Sequence, residues 1–403
     1  MKLLIYSRAF APMVGGVETV VMSLARGLAT AEHTDGFEKP EVTVATPASP
    51  GSFNDAALPF RVVRQPSLLR LLNLVWDADL LHLAGPALLP MFLGFVLRKP
   101  YVVEHHGFQA VCPNGLLLHE PTQSPCPGHF MAGRHAECIH CNLQLGRLGS
   151  RRSWVLTFAR RRLAARAGIN LTPTHWLEEL LNLPRSKTIY HGLPETSSSG
   201  KPQYSSACKS FAFVGRLVST KGVHSLLLAV HQLWREGFEF RLKLIGDGPE
   251  RPGLEREAVA LGLKEYVQFL GFLPEIEEHL RDVEAVIMPS LAGEVFGLAA
   301  AENMLRGKLM ITSTAGALKE VVGDFGLLFP PGDIRCLADC LRRVLVEPDL
   351  AKLLGERARE RAFQLFQEGQ MVAEHLACYR QILQGPFAAT EPQRAVSQPI
   401  PRP

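Results

Sequence analysis

The sequence predicts an α/β protein of two Rossmann-like domains with parallel sheets, facing each other across a cleft. Three observations predict it. Short apolar runs alternate with helical stretches, the pattern of parallel strands covered on both faces. The alternation stops and then restarts, and the stretch between, Glu195 to Ser206, is rich in the Ser, Thr, Gly and Lys of a linker. The chain has 403 residues, enough for two or three domains at roughly 100–200 residues each.

In the first half, Lys2–Ser7 reads as a buried strand. Its apolar start resembles a signal peptide, but Ser7-Arg8 interrupts it before an adequate hydrophobic region. Gly15-Gly16 then opens a helix through Leu28, with Val17, Val20, Val21, Leu24 and Leu28 at helical spacing. Val42–Ala45, Arg61–Arg64, Leu80–Leu83 and Tyr101–Glu104 are strand candidates, and Thr188–Tyr190 is expected to be the last strand of this half. In the second half the order is strand Phe211–Val214, helix Val223–Trp234, then strands Phe240–Ile245, Val267–Leu270, Ala285–Met288 and Lys308–Thr312. The predicted division is an N-terminal domain over 1–195 carrying a Cys-rich insert (107–146) and a C-terminal domain over 207–383. The last helix is expected to return to the first domain, and 384–403, without apolar periodicity, to be a disordered tail.

Composition excludes several classes. At 47% hydrophobic and 20% charged residues the chain is not wholly disordered, and eight Cys do not make a small disulfide scaffold. A formal net charge of +4 is too small to imply nucleic acid, and none is expected as a partner. The longest apolar run, Leu80 to Leu97, is punctuated by His82, Pro86 and Pro90, so it reads as strand, turn and helix rather than a membrane span. The cytoplasm is the expected compartment, with the inner membrane face open to peripheral docking.

Three segments carry chemistry. Gly15-Gly16 lies between strand and helix, where glycine lets backbone amides approach an anion and the helix N-terminus favours negative charge. An ordinary βα turn has the same look. Arg216 and Lys221 lie five residues apart on the loop after Phe211–Val214, where a bidentate fork and a point charge can converge on one diphosphate. Glu294 and Glu302 straddle a loop-to-helix junction. The free amides of Phe296, Gly297 and Leu298 would face an anion, and both carboxylates can accept from sugar hydroxyls.

Taken together, these pieces resemble retaining GT-B glycosyltransferases of family 4 (glycosyl transferases group 1). The matching residues are Arg216, Lys221, the Leu244-Ile245-Gly246-Asp247-Gly248-Pro249 turn, Glu294 with Glu302, Val321-Val322-Gly323, and Gly326 through Asp333. The N-terminal Gly15-Gly16 adds to them. The resemblance covers Lys2 to about Leu383 and is sharpest from Phe211 to Asp333.

It implies a nucleotide-diphosphate-sugar donor and a hydroxyl acceptor on a glycan or lipid-linked glycan, as in polysaccharide biosynthesis. Transfer of the hexose would retain anomeric configuration, with no metal or other cofactor needed for catalysis. By the same resemblance, Arg216 and Lys221 would neutralise the diphosphate, Glu302 would bind the ribose, and Glu294 would hold the sugar beside the Phe296, Gly297 and Leu298 segment. His106, in Glu104-His105-His106-Gly107, would line the sugar site, and Gly15 and Gly16 would meet the donor as the cleft closes. The chain departs from the family at Val295, Asn303, Lys308-Leu309 and His191-Gly192-Leu193. A nucleotide-sugar epimerase, a glycan phosphorylase or a non-catalytic zinc-stapled binding module are the alternatives.

Two further features stand outside that pattern. Cys112, Cys126, Cys138 and Cys141 form a candidate structural zinc site in a long irregular segment, with His119, His129, His135 and His140 as substitute ligands. Free thiols or two disulfides are the other readings, and Cys208, Cys336, Cys340 and Cys378 read as packing residues. From Arg147 to Arg166 seven arginines occur without one acid, interleaved with Trp154, Val155, Phe158 and Leu163. That stretch suits an anionic membrane surface, or a solvated helix that buries Trp154 in its own domain.

Overall fold

The computed structural model describes residues 1–31, 39–194 and 209–385. The expected linker from Glu195 to Ser206 and the expected tail from residue 386 onward lie outside the described residues, as does Cys208; Gln384 closes the last helix.

The N-terminal half is built on strands β1 (Lys2–Ser7), β2 (Glu41–Thr46), β3 (Arg61–Arg64), β4 (Leu80–Ala84) and β5 (Tyr101–Glu104). A two-stranded ribbon follows, β6 (Leu118–His119) against β7 (Ser124–Pro125), and then β8 (Ile169–Thr172) and β9 (Ser186–Thr188). The main sheet is parallel, ordered β3-β2-β1-β4-β5-β8-β9. Its helices are α1 (Gly16–Thr30), α2 (Leu68–Asp77), α3 (Leu88–Val96), α4 (His135–Cys141), α5 (Gly146–Ala164) and α6 (His175–Leu181).

The C-terminal half carries β10 (Lys209–Val214), β11 (Phe240–Ile245), β12 (Val267–Gly271), β13 (Ala285–Met288), β14 (Leu309–Ser313) and β15 (Leu327–Phe329) in the order β12-β11-β10-β13-β14-β15. Helices α7 (Val223–Arg235), α8 (Arg251–Ala260), α9 (Glu277–Leu280), α10 (Leu298–Leu305), α11 (Leu318–Val322), α12 (Ile334–Val346), α13 (Leu350–Leu365) and α14 (Glu368–Gln384) complete it.

Both sheets reverse strand order once, at β1/β4 and at β10/β13. Neighbouring loops there leave in opposite directions and open a crevice beyond the strand carboxyl ends, where open α/β sheets bind ligands. The central strands hold this frame because they are apolar on both faces. Leu3, Leu4 and Ile5 of β1 and Phe211, Ala212 and Phe213 of β10 are all buried. Helix α1 begins where Gly15 is extended, and it turns Val20, Val21, Leu24, Ala25 and Leu28 onto the sheet. Asp333 caps α12, accepting from the Cys336 amide at 2.9 Å.

The strand expected at Thr188–Tyr190 is β9, shifted to Ser186–Thr188, and Ile189 beyond it is core. Strands β8 and β15 were not anticipated as strands.

The last helix does not stay with the second sheet. Met371, Val372, Cys378 and Tyr379 of α14 join the core of β1, α1 and β5. Here Val372 lies so close to Gly27 that a Cβ there would come within 2.4 Å of it. The chain therefore passes between the halves twice. The two crossings touch: Leu193 bridges Gln367, and a Cβ on Gly192 would fall 2.5 Å from the Glu368 Cα.

Candidate active site

The loop leaving β10 carries Gly215 and the exposed Arg216, then a short 3-10 turn, Ser219–Lys221, that ends at Gly222. Gly222 has φ +66°, and a Cβ there would lie 2.0 Å from the Pro289 carbonyl oxygen, so only glycine fits. This close approach seats Lys221 against the loop after β13. There its ammonium pairs with the Glu294 carboxylate, and the Ser290 hydroxyl donates to the same oxygen at 2.8 Å. The Glu294 backbone is fixed from the other side, its carbonyl accepting from the Ala317 amide at 2.8 Å. The Leu244–Pro249 turn braces Arg216. Gly246, at φ +136°, would put a Cβ 1.9 Å from the Gly215 carbonyl oxygen, and the Leu217 amide donates to the Asp247 carbonyl at 2.9 Å.

Beyond Glu294 the chain turns into α10. Phe296 is buried with its ring against His191 and Phe366, at centroid distances of 5.1 Å and 5.2 Å. Gly297, at φ +91°, sits before Leu298, and the first amides of α10 lack partners within the helix. Glu302 lies in α10; burial raises its carboxyl pKa, with the nearby Arg306 opposing. An anion at the start of α10 would therefore meet amides, an ammonium and a carboxylate able to accept hydroxyls.

The N-terminal half meets this place directly. A Cβ on Gly16 would stand 3.1 Å from Leu298 Cδ1, so the Gly15-Gly16 turn rests on the start of α10. Phe108 packs on Gly293, and Thr174 Oγ1 donates to the Val295 carbonyl at 3.0 Å. Glu320 of α11 accepts from the His175 and Trp176 amides at 2.9 Å and 2.8 Å and from the Tyr190 hydroxyl at 3.0 Å.

His106 follows β5, as the sequence motif requires. It stacks on His191 at 5.2 Å, and its Nε2 lies 3.4 Å from Glu104 Oε2. Through His191 it reaches Phe296, so one row of rings crosses the cleft. Lys221, Glu294, Phe296, Gly297, Leu298, Gly15 and Gly16 thus share one neighbourhood. Arg216 lies on the Lys221 loop and Glu302 in α10, and among the described residues neither side chain hydrogen-bonds to this group.

Behind His106 lies a group that sequence reasoning missed. Glu104 is buried and faced by His82, His106, His191 and His375. Burial would raise the Glu104 pKa, but the histidines, His106 first, hold it well below the usual carboxylate range. Burial also lowers the pKa of His82, and takes His105 down to about 4 and His191 to about 3. The one signal in the sequence was Glu104 itself, an acid closing an apolar strand.

In the insert, Cys112, Cys138 and Cys141 are buried, Cys126 is half-buried, and all four are free thiols. Burial pushes the Cys138 thiol up to about 12 and raises those of Cys112 and Cys141. The Cys141 sulfur accepts from Asn114 Nδ2 and the Glu120 amide, each at 3.4 Å. Among the described residues, the groups that bring three ligand atoms within 4.8 Å of one another are His82/Glu104/His375 and Glu104/His106/His191.

Helix α5 carries most of the arginine stretch. Trp154 packs on Phe158 and His135, at 5.2 Å and 5.5 Å, inside its own domain. Arg161 is spent on the end of α6, donating to the Leu181 and Asn182 carbonyls at 2.6 Å and 3.0 Å. Arg151 and Arg152 are exposed, as are Leu148 and Val155. Among the described residues no helix is long and apolar enough to cross a membrane.

The chain is similar to known proteins in part of its sequence and in its fold. Residues 201–361 match the family described as Glycosyl transferases group 1. The chain is 36% identical over 148 residues to the 2-deoxystreptamine glucosyltransferase of Streptomyces kanamyceticus, covering 36% of this chain and 38% of that one. It is 31% identical over 192 residues to the exopolysaccharide phosphotransferase SCO2592 of Streptomyces coelicolor, covering 46% of this chain and 20% of that one. These alignments thus span well under two thirds of the curated relatives. In three dimensions the chain resembles Alr3699/HepE of Anabaena, a structure solved in complex with UDP. The TM-score is 0.69 at 20% identity, covering 94% of this chain and all of that one. It also resembles WaaG, a glycosyltransferase involved in lipopolysaccharide biosynthesis, with a TM-score of 0.67 at 18% identity over 95% of this chain and 100% of that one. The fold is GT-B.

Proposed function

We propose that this chain, in which a glycosyl transferases group 1 match occupies one half of a GT-B frame, moves a hexose from a nucleotide-diphosphate donor to an acceptor hydroxyl with retention of configuration. The observation that carries the reading is the meeting of Lys221, Glu294 and Ser290 at the start of α10, with Gly16 of the other half closing over Leu298.

In this reading Arg216 and Lys221 take the diphosphate. Cleavage of the sugar–phosphate bond leaves the diphosphate with one more negative charge, and two fixed cations stabilise that charge most where water is excluded. Lys221 is held by Glu294 in the absence of donor. Donor entry divides that pair: the ammonium turns to phosphate, and the freed carboxylate accepts from hydroxyls of the sugar. Glu302 reads the ribose, whose hydroxyls would offset the burial that raises its carboxyl pKa. His106, on the opposite wall, faces the sugar beside the reacting carbon. Acceptor oxygen attack from the leaving-group side forms the new glycosidic bond, and its proton passes to the departing phosphate.

UDP is the first nucleotide to test, since Alr3699/HepE is described in complex with UDP, with UDP and glucose, and with UDP-glucose. The acceptor in this reading is a glycan or a lipid-linked glycan. The exposed Leu148, Val155, Arg151 and Arg152 of α5, beside the exposed Phe92 and Phe95 of the neighbouring α3, would rest on the inner face of an anionic membrane. The four insert cysteines would hold a structural zinc only by drawing closer together, since no three of them bring their sulfurs within 4.8 Å of one another.

The test is thermal unfolding with UDP, GDP, ADP and their sugar conjugates, on wild type and Glu302→Ala. A nucleotide at a hundredfold excess over its dissociation constant adds about 2.7 kcal/mol of stability. One nucleoside diphosphate should stabilise wild type and lose that effect in Glu302→Ala, while Glu294→Ala should abolish transfer. No shift with any nucleotide would overturn the transferase reading in favour of a non-catalytic binding module.

A further inference from the structure

We propose that His82, Glu104 and His375 bind one divalent transition-metal ion, buried between the N-terminal sheet and the last helix. The three side chains come from β4, β5 and α14, and each is at most 1% exposed. Their ligand atoms lie within 4.8 Å of one another. His82 Nε2 stands 3.0 Å from Glu104 Oε2, and His375 Nε2 stands 3.7 Å from the same oxygen.

His82 Nε2, Glu104 Oε2 and His375 Nε2 are all buried without an aligned hydrogen bond, as is His106 Nε2, 3.4 Å from the same carboxylate oxygen. Leaving buried polar atoms without partners is costly, and most so for a charged group. Three of them aimed at one point mark a place where something else completes the set.

The tautomers say what that something is. His375 Nδ1 lies 2.8 Å from the Met371 carbonyl oxygen, which can only accept. Nδ1 therefore carries a proton, and Nε2 faces a carboxylate oxygen; with no second proton on the ring, a lone pair opposes that oxygen. Two lone pairs facing each other in a dry core repel. A cation between them turns the repulsion into two bonds. His82 is also held at Nδ1, 2.8 Å from the Tyr379 hydroxyl, a group that can donate or accept and so leaves the tautomer open. One ring nitrogen fixed by the protein and the other aimed inward is the outer-shell pattern of metal-bound histidine.

The distances agree. Ligand atoms at about 2.0–2.2 Å from one ion, subtending ordinary angles, stand about 3–4 Å apart. Two imidazoles and a carboxylate suit zinc and its first-row neighbours rather than calcium or magnesium. The Glu104 carboxylate also faces His106, so an ion here would brace the strand end that presents His106 to the cleft. It would tie α14 to the sheet it crosses over to cover.

The experiment is metal analysis of the full-length protein after dialysis against buffer and against a chelator, repeated on His375→Gln and on a variant with Cys112, Cys126, Cys138 and Cys141 all changed to Ser. The Cys variant separates this ion from any zinc in the insert. Wild type should hold one equivalent that His375→Gln loses and the Cys variant keeps. Cobalt(II) loaded into the chelator-stripped Cys variant should give visible d–d bands without a thiolate-to-cobalt band. That optical reading stands on its own if His375→Gln fails to fold. Equal metal content in wild type and a folded His375→Gln would overturn the proposal. So would a Cys variant that takes up no cobalt while keeping its native circular dichroism; the cation between His375 and Glu104 would then be a proton.

Discussion

Replacing Glu320 with Ala should loosen the two halves from each other while leaving each folded. Its carboxylate, on α11 of the second half, accepts three hydrogen bonds from the first half: the His175 and Trp176 amides at the start of α6 and the Tyr190 hydroxyl. Hydrogen bonds to a charged group are worth about 1.5–3 kcal/mol each, and a carboxylate at a helix N-terminus adds about 0.3–1 kcal/mol. Because the site is half-exposed, water replaces part of what is lost, and Thr174 still caps the Leu177 amide. The net loss should be about 2–3 kcal/mol, a shift of about 30- to 150-fold toward the open arrangement. Small-angle scattering should show a larger radius of gyration, and amide exchange should accelerate in the peptide 173–178. Donor affinity should fall in proportion to the population of the closed form. Glu320→Gln, keeping one acceptor and losing the charge, should fall between. If scattering and exchange in Glu320→Ala match wild type, the carboxylate is not what joins the halves and the argument fails.

Other predictions follow from single sites. Burial takes the Lys308 pKa down to about 8, from an ordinary lysine value of about 10.4. Between those values the unfolded chain holds a proton the native state has released, so stability should rise with pH there by up to about 3 kcal/mol. Urea titrations across that window should show the rise in wild type and not in Lys308→Met. Gly246→Ala forces a side chain against the Gly215 carbonyl at positive φ, and should destabilise the second half by more than about 3 kcal/mol, read as a lower urea midpoint. Arg151→Glu with Arg152→Glu should release the protein from anionic liposomes; undiminished co-sedimentation would remove α5 as the membrane contact.

How legible each element was depends on how local its cause is. Strands β1 and β10 announce themselves because burial on both faces demands an unbroken apolar run. Strand β8 hid because Asn170 stands in its middle. The structure shows why a buried strand tolerates it: its amide donates to the Ala164 and Pro184 carbonyls at 3.1 Å and 2.9 Å, and its oxygen meets His105. The Glu294 and Lys221 segments were visible as motifs, though not that the two side chains pair. His82, Glu104, His191 and His375 lie on four separate elements, and no spacing in the chain relates them. Glu320 was equally silent, since its partners are backbone amides of the other half.

The doubled crossing has a consequence for how such proteins can be recombined. Sequence alone suggests that a nucleotide-binding half could be exchanged by cutting once, in the stretch after Leu193. But α14, at the far end of the chain, supplies part of the core of the first half, with Tyr379 bonded to His82 and Val372 seated on Gly27. A chimera cut once would give one parent's sheet the other parent's helix, and the mismatch would fall on a buried, histidine-lined seam. Two joints are needed, one on each strand of the paired crossing, so that α14 travels with the sheet it covers.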